Sequence, residues 1–105
     1  MAKATFQSAG GTLYAYLAGE IDHDAAQQLR LAVDTELDNR MPEELILDFG
    51  SVSFMDSSGV GLILGRQRCA RALGGSLRVQ HAPAQLRRVM QLANIPCADE
   101  TEKEK

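Results

Sequence analysis

The residues best suited to chemistry stand together as Asp56-Ser57-Ser58-Gly59, preceded by Phe54-Met55 and continued by Val60-Gly61-Leu62-Ile63-Leu64. Asp and Ser are helix-capping types: their short side-chain oxygens accept from the first backbone N–H groups of a helix, which have no intrahelical partner. One cap suffices, so three candidates in a row are a surplus. Gly59 and Gly61 follow within the first turns, and each costs about 1 kcal/mol against alanine in a helix interior. A helix start rich in hydroxyls and thinned of side chains admits close approach by something negative or something large.

Three uses of Ser57 follow. As a nucleophile it needs a base within hydrogen-bond reach and an oxyanion hole. No GxSxG elbow surrounds it, and the only histidines are His23 and His81. A Ser57–His23–Asp22 hydrolase triad would need adjacent side chains, Asp22 and His23, to orient each other, which neighbours in sequence rarely do. As a cap, Ser57 needs no further role, and on the residues alone this is the favoured reading. As a phosphoryl acceptor, it would place the new charge where free N–H groups and the helix dipole favour it. A docked partner would meet about −1.5 to −2 added charges at its contact.

Other chemistry has weaker support. Asp22, Asp24, Asp48 and Asp56 fall near strand ends, and an open α/β sheet gathers such ends at one edge. Carboxylate clusters there can hold Mg²⁺, but capping and turns account better for Asp22 and Asp56. Neither a P-loop nor GxGxxG is present, so no cofactor and no metal are expected.

A chain of 105 residues with net charge −3 suits one domain with one core. No basic stripe of the kind that tracks phosphate backbones is present, which argues against nucleic-acid binding. Arg66, Arg68 and Arg71 cluster on one expected helix and Arg87-Arg88 on another; solvated helix faces are the expectation for both. Cys69 and Cys97 lack CxxC spacing and suit reduced thiols, with Cys69 as a small core residue. The start of the chain has no apolar run like a signal peptide, and no stretch reaches the roughly 18 apolar residues of a membrane span. The expectation is a soluble, cytoplasmic, single-domain protein.

The elements that must position the motif follow from periodicity. Residues 4–8 and Leu13–Leu17 read as strands joined at Gly10-Gly11, with Gly19 ending the second. Asp22 is the expected N-cap of a helix, Asp24 sits in its first turn, and Ala26, Leu29, Val33 and Leu37 recur at helical spacing. That helix should run to about Asn39 and stop before Pro42. Leu45–Phe49 is nearly continuous in apolar residues, as in a central strand covered on both faces. The motif helix should run from about Ser57 to Leu73, ended by Gly74-Gly75. Leu77–Val79 reads as a strand, and Leu86, Val89, Met90 and Ala93 mark a third helix. Asp99–Lys105 is polar throughout and nearly all charged, so residues 98–105 are expected to be disordered. The order β-β-α-β-α-β-α implies right-handed crossovers and a mostly parallel sheet. Periodicity leaves open whether the helices share one face. Gly61 and Gly65 could serve close helix packing on the sheet, and Gly59 and Gly61 could equally give a partner a path to the backbone; a membrane dimer motif is excluded because the apolar stretch is too short and meets Arg66-Gln67-Arg68.

The run Ser53–Arg66 resembles the signature of STAS domains of the anti-sigma factor antagonist type. Gly19-Glu20-Ile21-Asp22-His23 is similar to that family's segment before the first helix, and Gly74-Gly75-Ser76-Leu77 to the glycine pair after the motif helix. The likeness covers about residues 4–95. It implies an α/β fold: a single STAS-like domain over residues 1–97, with a mixed four- or five-stranded sheet and about three helices packed mainly on one face. It implies a non-enzymatic bacterial partner-switching protein, monomeric when free. The unphosphorylated form would bind an anti-sigma factor that is also a serine kinase, and so free a sigma factor. Phosphorylation at Ser57 would inactivate it, and a serine phosphatase would reset it. Asp22, His23, Met55, Asp56, Ser58, Gly59, Gly61 and Leu62 would shape the partner surface. A STAS adaptor of a stress-sensing or lipid-transport complex is the alternative. Relatives often continue with another strand and a closing helix, where here Ile95-Pro96-Cys97 leads straight into the charged tail.

Overall fold

The structure, a computed structural model, describes residues 2–96. Its elements are β1 (Ala2–Ala9), β2 (Thr12–Ile21), α1 (His23–Arg40), β3 (Glu44–Met55), α2 (Ser58–Ala72), β4 (Ser76–Gln80) and α3 (Ala84–Leu92). The strands form one four-stranded sheet in the order β1-β2-β3-β4. β1 is antiparallel to β2, and the other two pairings are parallel. The predicted element order is the observed one; Cys97 and the tail at 98–105 lie outside the described residues.

The β1–β2 hairpin turns on Gly10 (φ 55°) and Gly11 (φ 87°), with Ala9 opposite Thr12. Two successive residues with positive φ match the twist of the flanking strands in a two-residue turn, and glycine takes that conformation without steric cost. β2 was expected to stop at Gly19, but it runs on to Ile21. Gly19 (φ 93°) sits where the pairing with β3 slips, so its positive φ serves a bulge and not a strand end.

One face of the sheet carries the core. Leu13, Leu45 and Leu77 are register neighbours, as are Ala15, Leu47 and Val79, and all six are buried. The same cluster contains Leu29, Val33 and Leu37 of α1, Leu62, Ile63 and Ala70 of α2, and Leu86 and Met90 of α3. All three helices therefore cover one face, which periodicity alone left open. Truncating any of the leucines to alanine would cost about 2–5 kcal/mol.

The second face is built differently. Residues 45–49 of β3 are buried on both faces, as the apolar run predicted, and Ile46 lies outside the helix-side cluster, with no helix among the described residues packed over it. Tyr14 and Arg78 flank Ile46 in register, and Tyr16 and Gln80 flank Asp48. Cross-strand side chains supply the cover. Tyr14 and Tyr16 stack with ring centroids 6.0 Å apart, and Arg78 forms a two-pronged pair with Glu44 at 2.6 and 3.2 Å.

The arginine cluster on α2 is also not uniformly solvated. Arg66 is buried, and its Nε lies 2.7 Å from Asp34 Oδ1 on α1. Neither atom has an aligned hydrogen-bond partner, so the contact is an ion pair met off-line. Arg66 Nη2 reaches Cys69 Sγ at 3.7 Å, and Cys69 is a free, half-buried thiol. This ion pair ties α1 to α2. Among the described residues no helix is long and apolar enough to cross a membrane.

Asp48 is the polar anchor of the sheet's second face. Its carboxylate accepts from the Gly50 N–H at 2.7 Å and from Gln80 Nε2 at 2.6 Å, and lies 3.0 Å from His81 Nδ1. Burial on its own would raise its pKa, but the three hydrogen bonds and the His81 charge outweigh burial and hold it below the ordinary aspartate range. A depressed carboxylate contributes stability that is present above its unfolded pKa and lost as pH falls through the folded one. Wild-type thermal midpoints should therefore fall as pH drops below about 4, and Asp48→Asn should flatten part of that slope. An unchanged slope in calorimetric scans across this range would refute the assignment.

Candidate functional site

The site is built where two parallel strands end together. Ile21 of β2 is the register partner of Met55 of β3, and both are buried. The next residue on each strand, Asp22 and Asp56, turns the chain toward a helix, and the Asp56 N–H still donates to Ile21 O at 3.2 Å. The starts of α1 and α2 therefore lie side by side. β3 reaches this point by a route the sequence concealed. Two slips in its pairing with β2, between Tyr16/Ala18 and Gly19/Glu20, each give β3 one extra residue. Bulges of this kind bend a strand and re-aim its side chains. Here two of them restore the alternation, so Met55 points inward like Leu45 and Leu47, while Phe54 is exposed.

An aspartate serves each helix start, Asp22 from the cap position and Asp56 from the residue before it. Asp22 Oδ1 accepts from the Ala25 N–H at 2.9 Å, as the sequence predicted. At α2 the carboxylate also does the work: Asp56 Oδ1 accepts from the Ser58 N–H at 2.8 Å. Ser57 holds the cap position in helical conformation and makes no side-chain capping bond. Its side chain is exposed. Of the three capping candidates, Asp56 caps and Ser57 is released from that duty. One expectation needs correction here. The first amides of α2 are not free: Gly59 N–H donates to Asp56 O at 3.1 Å and Val60 N–H to Ser57 O at 3.1 Å, besides the bond from Ser58.

The other expected contact residues divide by depth. Asp22, His23, Asp56 and Gly61 are exposed, and Ser58 is half-buried. Met55, Gly59 and Leu62 lie inside the fold, so they shape the surface from below and offer little area for direct contact. Gly59 is required for packing, because a Cβ there would overlap the Met55 side chain. Gly61 and Gly65 are different. A Cβ at either would meet nothing within 4 Å, so they do not serve close packing on the sheet. They border an open groove of about 380 Å³ between α1 and α2, which His23 and Ser58 line at its upper end. Phe54, 55% exposed and three residues before Ser57, is a large apolar neighbour of the site that the motif pattern alone does not mark. Alternation counted from Leu45 already turns Phe54 away from the helix-side core, and the paired bulges leave that direction unchanged.

Asp22 and His23, the other members of the conceivable triad, have partners of their own. Asp22 Oδ1 is committed to its cap, and His23 Nε2 lies 3.4 Å from Gln27 Nε2 on its own helix. Among the described residues no group of three or more His, Cys, Asp or Glu side chains converges as a metal site would require.

A mixed four-stranded sheet with three helices on one face, presenting an exposed serine at a helix start, defines a STAS-type domain. Residues 4–96 match the family model described as "Mlab, STAS domain", and the chain belongs to the STAS-domain family. It is similar to the anti-sigma F factor antagonist of Paenibacillus polymyxa, with 32% identity over 85 residues, 81% of this chain and 73% of the relative. Among solved structures it is similar to the anti-sigma factor antagonist SpoIIAA in its unphosphorylated form, with TM-score 0.78, 34% identity, and coverage of 97% of this chain and 93% of the other. The Bacillus cell fate determinant SpoIIAA in the phosphorylated form aligns with TM-score 0.74, 28% identity, and coverage of 98% and 100%.

The Gly59–Met55 contact is testable by coupling. Overpacking a core costs about 1–3 kcal/mol, and alanine returns about 1 kcal/mol of helix propensity. Gly59→Ala should thus destabilise by up to about 2 kcal/mol in wild type. In a Met55→Ala background the same change should be neutral or stabilising. Strict additivity across the four proteins in denaturant melts would rule the contact out.

Proposed function

We propose that this chain is an anti-sigma factor antagonist. In its unphosphorylated form it binds an anti-sigma factor with serine kinase activity, frees a sigma factor, and is inactivated by phosphorylation at Ser57. The observation that carries this reading is the exposed Ser57 hydroxyl, unengaged in capping, at the head of α2. A relative at 34% identity that bears the antagonist's name supports it, as does a phosphorylated form of SpoIIAA among the similar structures. The chain acts in the cytoplasm as a binding protein and not as an enzyme; the kinase brings the ATP, and a separate serine phosphatase reverses the mark.

The cap geometry gives the switch a physical course. Asp56 already holds the Ser58 N–H. A phosphoryl group on Ser57 carries about −1.5 to −2 charges and strong acceptor oxygens. It would compete with the Asp56 carboxylate for that amide while the positive end of the α2 dipole favours both. The fold loses little by this exchange. The docking surface gains charge and bulk beside Asp22 and Asp56, which a partner fitted to the neutral hydroxyl must desolvate.

Incubation with the cognate anti-sigma kinase and ATP, followed by mass spectrometry, should place a single phosphoryl group on Ser57. Ser57→Ala should keep partner binding and block the modification, and Ser57→Glu should weaken binding about tenfold or more. Wild-type affinity in Ser57→Glu would refute the electrostatic switch, and recovery of a transporter subunit in pull-downs would favour the adaptor role.

A further inference from the structure

The groove between α1 and α2 carries charge opposite to that of the chain as a whole. The chain as a whole is acidic, with net charge −3. Yet the ten residues lining the groove include Arg30, Arg66 and Arg68 and no carboxylate. Arg66 is buried and held by Asp34. Arg30, on α1, and Arg68, on α2, are exposed, and among the described residues neither is in an ion pair. His23, Gln27 and Arg30 stand three and four residues apart on α1 and so share one face, as do Ser58, Gly61, Gly65 and Arg68 on α2. The space between them is kept open because Gly61 and Gly65 carry no side chain. From Ser58 to Arg68 the groove runs about 15 Å along α2, at 1.5 Å per residue. Its volume of about 380 Å³ holds several side chains.

We propose that this groove receives an acidic segment of the protein that docks at the Ser57 end, with Arg30 and Arg68 supplying the charge and Gly61 and Gly65 the room. The inference rests on reading the site as a protein-docking surface, and it extends that surface down the helices away from the serine. Two guanidinium groups without internal partners, placed on facing helices, suit carboxylates spaced along a chain better than one compact ion. The apolar floor formed by Ala26 and Leu62 suits the stems of those side chains.

The test uses the intact chain and an oligoglutamate peptide, with an oligolysine peptide and inorganic phosphate for comparison, read by amide chemical shifts. Oligoglutamate should move the amides of Gln27–Arg30 and Gly61–Arg68, more strongly at low salt, and oligolysine should not. The double variant Arg30→Glu/Arg68→Glu should weaken peptide binding about tenfold or more, with an unchanged thermal midpoint because neither arginine is in an internal ion pair. Gly65→Leu fills the groove without altering charge, and it should also abolish the shifts. Unmoved groove amides, equal shifts in the double variant, or equal shifts from phosphate alone would each overturn the proposal. Affinity for the anti-sigma kinase forms a separate arm: a wild-type chain that binds no such kinase defeats the proposed function, while the peptide titration still decides the groove.

Discussion

Parallel pairing between β2 and β3, carried all the way to Ile21 and Met55, is the constraint from which the rest of the site follows. Parallel strands in one sheet send their connections to the same end, so the helices after β2 and β3 must start next to each other. Side-chain direction alternates along a strand, and a single extra residue would turn Met55 out to solvent. β3 inserts two, and Met55 returns to the core. Its side chain then occupies the space that Gly59 leaves, which fixes the height at which α2 begins. A buried thioether thus determines where an exposed serine stands.

On the proposed reading, the division of labour at the two helix starts separates stability from signalling. Asp22 and Asp56 each satisfy a first-turn amide, and a capping bond of that kind is worth about 1 kcal/mol. Had Ser57 been the cap, any modification of its oxygen would have removed that bond. With the carboxylate of Asp56 in the role, the hydroxyl is available at little cost to the fold. The surplus of capping residues visible in the sequence therefore has a structural account: one caps, one is presented, and Ser58 turns toward the groove.

Much of the fold was legible because local signals were strong and agreed with one another. The Asp22 cap, the buried stripe of α1 and the glycine turn between the first strands all depend on neighbours in sequence. What escaped depends on partners distant in sequence. The apolar run ends at Phe49, yet the strand continues to Met55, because β2 pairs with residues 51–55 across two bulges. Gly19 reads as a stop, and it is a bulge residue. Arg66 reads as solvated, but Asp34, on another helix, makes its burial tolerable. Ile46 and Asp48, buried on the second face, have side chains of adjacent strands beside them in register, which no local pattern announces. At the site, the motif itself was readable, as was the inward parity of Met55, but the burial of Gly59 against Met55 depends on how α2 meets the end of β3.

On the proposed reading, the magnitudes explain why so small a change can act as a switch in a domain that does not itself move. A charge placed at a helix N-terminus is favoured by about 0.3–1 kcal/mol at an exposed position. The domain therefore neither unfolds nor has to rearrange beyond the Asp56 cap. The same charge buried against a partner that lacks a counter-ion costs several kcal/mol, because desolvation is not repaid. The difference, a few kcal/mol, corresponds to a change in affinity of two or more orders of magnitude. It arises entirely at the interface, so the switch needs no second conformation of this chain. That accords with a rigid platform: two helices tied by a buried ion pair, starting from strands locked in register, and holding the modified residue at a position the core has already fixed.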